Sequence, residues 1–336
     1  MIKLGTIGTN WITERMIEAA HATGEYQLTA VYSRHEASGR ELAKGHEPAT
    51  VYTDLEQFLS DPNVEVVYIA SPNVLHYEQI LQALQHDKHV IVEKPAVLTP
   101  YQYQSVMDEL ARHPQVRYFE AARNVHMPAF AAVRDYLSGL DTGVDGAEFT
   151  FSQYSSRYDQ VLAGQVPNVF NPQFGGGALT DLGIYPVYDA VGLFGVPERV
   201  AYYPTMISTG VDGKGTAILN YGAFDVTLNF SKLSNSTHNS EIYHGREIIT
   251  FDSAGEVTEA SIIQNNQRQI LSQLYGKNPM IPEMTDFARV LQEPTQPQNV
   301  ADYELWLEQM QNVNLVMSRL ASAAGLEYPT KLEADE

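Results

Sequence analysis

Residues 89–98 read HVIVEKPAVL, a strand that runs directly into an acid, a base and a proline. Val90, Ile91 and Val92 form an unbroken β-branched run. That is the pattern of a strand buried on both faces of a parallel sheet, not of one half exposed to water. Glu93, Lys94 and Pro95 follow at once, so a charged pair closes a core strand against a ring that fixes its own backbone angle. Strands of the same kind recur on either side. Residues 2–7, 26–32, 50–52, 64–70 and 116–119 are short apolar, aromatic or β-branched runs. Between them lie helical patterns: Ile12, Met16 and Ala19 share one face, as do Ile80, Leu81 and Leu84. Strands alternating with helices of this length imply right-handed crossovers and a parallel sheet covered on both faces. Six of them in this order predict a doubly wound, Rossmann-type domain over residues 1–121.

Beyond residue 121 the texture changes. GAEFTFSQYSS, GTAILNYGAFDVTLNFS, NSEIYHGREIITFDS and EVTEASIIQ are successive strand patterns with Gly, Asn or Ser turns and no helices between them. They predict a large open antiparallel sheet. Helical patterns over 283–291 and 303–324, the second stopped by Gly325, close the chain. The expected fold is therefore α/β followed by α+β, with residues 122–336 forming the second domain.

The chain has 336 residues, 44% of them hydrophobic and 18% charged, enough for two domains with sizeable cores. Its formal net charge of −20 repels phosphate backbones and anionic lipid, which argues against nucleic acid and membrane surfaces as partners. It has no cysteine. That excludes disulfides, thiolate nucleophiles and Cys-ligated metals, and fits a reducing cytoplasm. The ten histidines show no ligand spacing, so no metal site is expected. No signal segment or membrane-length apolar run is present, and the expected location is cytoplasmic.

The turn LGTIGTNWITERM joins the first strand to the first helix. A dinucleotide fingerprint would read G-x-G-x-x-G here. Gly8 fills its first position, Asn10 its second and Thr13 its third. Asn tolerates left-handed backbone angles better than most residues, and the helix start still turns N–H groups toward an anion. Gly8, Thr9, Asn10, Trp11 and Ile12 are thus candidate cofactor contacts. At the end of the second strand an acid would accept the 2′-hydroxyl of NAD. Ser33 and Arg34 stand there instead, a pairing suited to the 2′-phosphate of NADP. NADP is preferred, with NAD as the other choice.

With IASPNVLHYEQILQAL ending the fourth strand pattern, HVIVEKP the fifth, and GGGALTDLGIYPVYDAVGLFG beginning at Gly175, the sequence resembles the Gfo/Idh/MocA oxidoreductases over essentially its whole length. The resemblance implies a two-domain NAD(P)-dependent dehydrogenase acting on a sugar, polyol or cyclic diol, with nicotinamide between the domains. It implies a cis peptide before Pro95 and a catalytic or substrate-orienting role for Lys94. Ser71, Pro72, Asn73 and His76 would line the cofactor's ribose and phosphates, and Glu93 would help hold the nicotinamide ribose. In the second signature many members place a histidine where this chain has Tyr185, four residues after Asp181. This variant resembles glucose–fructose oxidoreductase and dimeric dihydrodiol dehydrogenase. Homodimers or homotetramers formed through the antiparallel sheet are also implied.

The chemistry is coherent on its own terms. Hydride leaves a carbinol carbon only as the hydroxyl proton is removed, which requires a base. A tyrosine is a poor base unless a cation favours its phenolate, and an ammonium can supply that. Tyr185 is the expected acid/base, Lys94 its electrostatic partner, and Asp181 the acceptor for a substrate hydroxyl. Arg123 and Tyr154 are further candidates for substrate contact. The competing expectation is a sensor that binds dinucleotide and sugar without turnover.

Overall fold

The computed structural model describes residues 1–46, 48–274, 276 and 278–332. The chain divides into two compact units, one of residues 1–121 with 280–308 and one of 122–279 with 309–336.

In the first unit strands and helices alternate: β1 (Ile2–Ile7), α1 (Trp11–Thr23), β2 (Tyr26–Tyr32), α2 (Glu36–Ala43), β3 (Thr50–Tyr52), α3 (Leu55–Ser60), β4 (Val66–Ile69), α4 (Asn73–Gln85), β5 (His89–Glu93), α5 (Pro100–Leu110) and β6 (Tyr118–Ala121). The six strands are all parallel, in the order β3-β2-β1-β4-β5-β6. That order reverses between β1 and β4, where a doubly wound sheet opens its ligand crevice at the strands' carboxyl ends. Val90, Ile91 and Val92 are fully buried, as an unbroken β-branched run requires.

The second unit contains α6 (Pro128–Ser138), β7 (Gly146–Ser152), α7 (Tyr158–Leu162), α8 (Ile184–Phe194), β8 (Arg199–Met206), β9 (Asp212–Asn220), β10 (Asp225–Ser231), β11 (Ser240–His244), β12 (Glu247–Phe251), β13 (Glu259–Gln264) and β14 (Gln267–Gln273). Its eight strands run in the order β14-β13-β12-β11-β7-β10-β9-β8. The sheet is antiparallel except where β7 pairs with β10 in parallel. A parallel pair needs a long connection, and the chain between these strands supplies one through α7, α8, β8 and β9. Phe149, Leu219, Val226, Leu228 and Phe230 are buried in one core cluster with Val187, Tyr188, Val316 and Leu320.

Besides this parallel pair, two features differ from the sequence expectation. Strands β8 and β14 were not foreseen, and both are sheet edges. Pro204 lies within β8, where an edge tolerates a missing donor, and β14 is largely polar and exposed. The second difference is the boundary of the second domain, expected as 122–336. The helix α9 (Ile281–Gln292) and the start of α10 (Pro297–Ala323) belong to the first unit. Tyr26 Oη donates to the Met284 carbonyl at 3.0 Å, and Phe119 stacks on Phe287 with ring centroids 4.6 Å apart. Burying a side chain such as Phe287 is worth roughly 1.5–3 kcal/mol. The apolar face of α9 therefore goes to whichever sheet leaves a gap for it, and periodicity alone does not say which.

Candidate active site

In the first unit the β1–α1 turn is built around Gly8. Its φ is 110°, and a Cβ there would lie 2.7 Å from the Ala70 carbonyl oxygen. Only glycine permits both the angle and the approach. Asn10 does not use the left-handed freedom expected of it, since its φ is −87° and its ψ 175°. It is instead the N-cap of α1. Its Oδ1 accepts from the N–H groups of Ile12 at 2.9 Å and Thr13 at 3.2 Å. Its Nδ2 donates to the Ala70 carbonyl at 2.9 Å, tying this turn to the end of β4. Two of the N–H groups expected to face an anion are thus already engaged. Trp11, at the first helical position, is 66% exposed, while Ile12 packs against the core of the unit. Ser33 is buried, and its hydroxyl donates to the His35 carbonyl and accepts from the His35 N–H. Arg34 is exposed beside it.

The end of β5 is fastened from below. The Lys94–Pro95 peptide is cis. His76 is buried, with Nδ1 2.9 Å from the Pro95 carbonyl and Nε2 2.8 Å from the Ser71 carbonyl. A neutral imidazole has one N–H to give and donates to one of the two. Burial holds the ring below its ordinary range, and the Lys94 cation adds to that effect against the two carbonyls. Both ring nitrogens face backbone carbonyls, so His76 spans two loops. The Ser71 hydroxyl donates to Gln79 Oε1 at 2.6 Å. Pro72 precedes α4 and Asn73 begins it. Glu93 accepts from the Tyr68 hydroxyl at 2.5 Å.

These residues fit a dinucleotide. Gly8 leaves a backbone cradle that a Cβ would fill against Ala70, the start of α1 lies beside it, and an exposed guanidinium stands at the end of β2. Gly8, Thr9 and Trp11 would border the pyrophosphate, and Ser33 and Arg34 the adenosine ribose.

In the second unit the signature from Gly175 folds as a glycine turn, a π-helical turn over Leu179–Gly183, and then α8. Gly177 has a φ of 137°, and a Cβ on it would fall 2.1 Å from Asp212 Oδ1. Asp212 Oδ2 accepts from the Leu179 N–H at 2.7 Å and the Tyr202 hydroxyl at 2.5 Å, bracing the turn. The π turn places Asp181 one turn ahead of Tyr185, which lies in the first turn of α8. The Asp181 side chain is 36% exposed and pairs through Oδ2 with Lys232 Nζ at 2.5 Å.

Tyr185 is 3% exposed. The Phe151 ring meets it edge-on with centroids 5.3 Å apart. The Arg123 guanidinium lies 4.9 Å from its ring centroid and is held there by the Gly255 carbonyl at 3.1 Å and Glu256 at 3.6 Å. Arg123, a candidate for substrate contact, is therefore in contact with the expected acid/base. Below the tyrosine, Asn124 Nδ2 donates to the Tyr185 carbonyl and to Asp189 Oδ1. Complete burial pushes the Asp189 carboxyl well above the usual range. The Tyr154 hydroxyl donates to Asp159 Oδ1 at 2.6 Å, and its ring meets Tyr158 edge-on.

Sequence reasoning missed Lys232, Asp212 and the Asn124–Asp189 pair. Asp189 had a signal, four residues after Tyr185 on the same helix. Lys232 had none, since a lysine ending a strand usually points to water.

Residues 2–121 match the family described as an oxidoreductase family with an NAD-binding Rossmann fold. The chain is 37% identical over 294 residues to the uncharacterized oxidoreductase YgjR of Escherichia coli, covering 87% of this chain and 89% of that one. It is 34% identical over 330 residues to the NADP(+)-dependent scyllo-inositol 2-dehydrogenase IolU of Bacillus subtilis, covering 98% and 99%. A 3-ketoreductase from Actinomadura kijaniata, solved with NADP and TDP-benzene, shares the fold at a TM-score of 0.81 and 20% identity, over 96% of this chain and 97% of that one. Among the described residues no helix is long and apolar enough to cross a membrane. A parallel six-stranded sheet, an eight-stranded sheet carrying the second signature, and relatives matched over nearly their full length lead to one assignment: the chain belongs to the Gfo/Idh/MocA family of NAD(P)-dependent oxidoreductases.

Proposed function

We propose that this protein moves hydride between NADP and a carbinol or carbonyl carbon of a polyol, sugar or cyclic diol, with Tyr185 as acid/base and Lys94 as its electrostatic partner. When bound, the nicotinamide gives or takes the hydride. The proton is the protein's task. The observation that carries this reading is the seat of Tyr185, clamped edge-on by Phe151 and covered by the Arg123 guanidinium. A cation over the ring favours the phenolate against the burial that opposes it, and a buried phenol is held in one orientation. Lys94 would stabilise the alkoxide that develops on the substrate. Asp181 would accept a substrate hydroxyl. A substrate rich in hydroxyls is supported by IolU, a scyllo-inositol dehydrogenase, and by dihydrodiol dehydrogenases at 27–31% identity. The NADP preference is supported by IolU and by Arg34 standing where an acid would select NAD. A homodimer or homotetramer through the open sheet face is supported by Tyr203 and Ile270, large side chains exposed on its strands.

The test is turnover with NADP and a panel of inositols, aldoses and trans-diols, followed at the nicotinamide absorbance. Tyr185→Phe and Lys94→Ala should each lower kcat at least about a hundredfold, with NADP affinity unchanged within about threefold. Near-normal rates in both variants overturn the roles assigned to them. Tight NADPH binding without turnover of any panel member would instead identify a sensor.

A further inference from the structure

We infer that Lys232 is a positioning residue that sets affinity for the substrate by fixing the Asp181 carboxylate. The inference rests on the reading of Asp181 as the acceptor of a substrate hydroxyl. Lys232 follows the last residue of β10, and its side chain is 1% exposed. Its backbone is fixed on both sides: its N–H donates to the Gly213 carbonyl and its carbonyl accepts from the Ser155 N–H, each at 2.9 Å. The ammonium has three hydrogens and three partners. One bond goes to Asp181 Oδ2 at 2.5 Å and one to the Val169 carbonyl at 3.0 Å, while the third direction meets the Phe170 ring, whose centroid is 4.4 Å away. No capacity remains for a ligand, so Lys232 acts through Asp181 and does not touch the substrate.

A purely structural reason for this lysine is weak. Burying the Lys232 ammonium costs desolvation that its bond to a partly exposed carboxylate largely only offsets, so an apolar residue of the same volume would serve packing about as well. What apolar replacements would lose is a partly exposed carboxylate held at one angle, one turn before Tyr185. The Val169 carbonyl also accepts from the Gly177 N–H at 3.2 Å. Lys232 therefore ties the end of β10, the Val169–Phe170 segment and the glycine turn to the one acid of the second signature that is partly exposed.

A hydrogen bond from a substrate hydroxyl to a fixed carboxylate is the same in the ground and transition states. Losing it raises KM and leaves kcat nearly alone. The experiment is steady-state kinetics with NADP and scyllo-inositol, or the panel polyol of highest turnover, backed by calorimetric binding of that polyol to the NADPH-loaded protein. Lys232→Met and Asp181→Asn should each raise KM and Kd for the polyol at least about tenfold. In Lys232→Met, kcat should stay within about threefold and NADPH affinity should not change. The double variant should be no worse than Asp181→Asn, because both changes remove the same held carboxylate. If Lys232→Met alone does not fold, the comparison is made in the Asp181→Asn background, where the added methionine should cost no further affinity. Unchanged KM in Lys232→Met, a fall in kcat matching the rise in KM, or losses that add in the double variant would each overturn the inference. Those results leave the proposed function standing, since wild-type turnover establishes it separately. Binding without turnover would end the enzyme reading and still test Lys232 through Kd.

Discussion

Asn10 offers a quantitative test of how the nucleotide turn is built. In Asn10→Ala the caps on the Ile12 and Thr13 N–H groups are lost together with the tether to the Ala70 carbonyl. The cap is worth about 1 kcal/mol and the tether about 1 kcal/mol more, so the first unit should lose about 2 kcal/mol. For a unit of this size that is a fall in Tm of about 4–8 °C, measured without cofactor because a ligand of the folded state would mask it. In Asn10→Gly the cap loss shrinks to a few tenths of a kcal/mol, leaving mainly the lost tether, a fall of about 2–4 °C. The glycine variant also releases the two N–H groups that Asn10 Oδ1 now occupies. It should bind NADP at least as tightly as wild type by fluorescence titration, while melting lower. A glycine variant that melts like wild type, or whose NADP affinity falls about tenfold, would refute this account. The first result would mean that the tether contributes nothing, the second that Asn10 itself contacts the cofactor.

Stability of the first unit should fall in acid, partly through His89. Its Nδ1 accepts the Arg117 N–H at 2.9 Å, and burial, with the Arg117 cation, lowers its pKa from 6.5 to about 4. The unfolded chain takes up a proton below about pH 6.5 and the folded chain does not until about pH 4, so this contribution is complete above 6.5 and lost as pH falls toward 4. It amounts to about 3 kcal/mol, and urea melts of His89→Gln should show a shallower loss between pH 7.5 and 4.5, an unchanged slope counting against it. Arg34→Ala should weaken NADP at least about tenfold and leave NAD nearly unaffected; equal losses for the two cofactors would contradict a 2′-phosphate contact.

Much of the first unit was legible because its signals are local. A β-branched run such as Val90–Val92 is buried on both faces, and no other arrangement would hide it. Gly8 could be read from one position, since the angle and the close approach both exclude a Cβ. The failures in the fold have a common cause. Pro204 and the polar residues of β14 belong to edges, where strands need neither an apolar face nor every backbone donor. The helix α9 shows a clear apolar face. Its partner, however, is set by the gap beside Phe119, more than 150 positions earlier, and no window along the chain contains both.

The site divides along the same line. Asp181 and Tyr185 could be named because they stand at fixed places in one motif, but what makes them useful comes from elsewhere in the chain. Arg123 reaches the Tyr185 ring from the loop after β6, and Lys232 reaches Asp181 across 51 positions. A sequence can show which acid and which phenol lie at a signature. Which cation stands against each is decided by topology, because β10 must lie beside β7 before the lysine that follows it can turn inward. The chemistry of a tyrosine or an aspartate depends on that neighbour more than on the residue itself: a cation near the phenol favours its anion, and an ammonium bound to the carboxylate leaves it able only to accept. If this is right, exchanging the two supporting cations, not the signature residues, should tune the enzyme. Changes at Arg123 should act on the pH dependence of kcat through Tyr185, and changes at Lys232 on substrate affinity through Asp181, so the two effects should be separable in one protein.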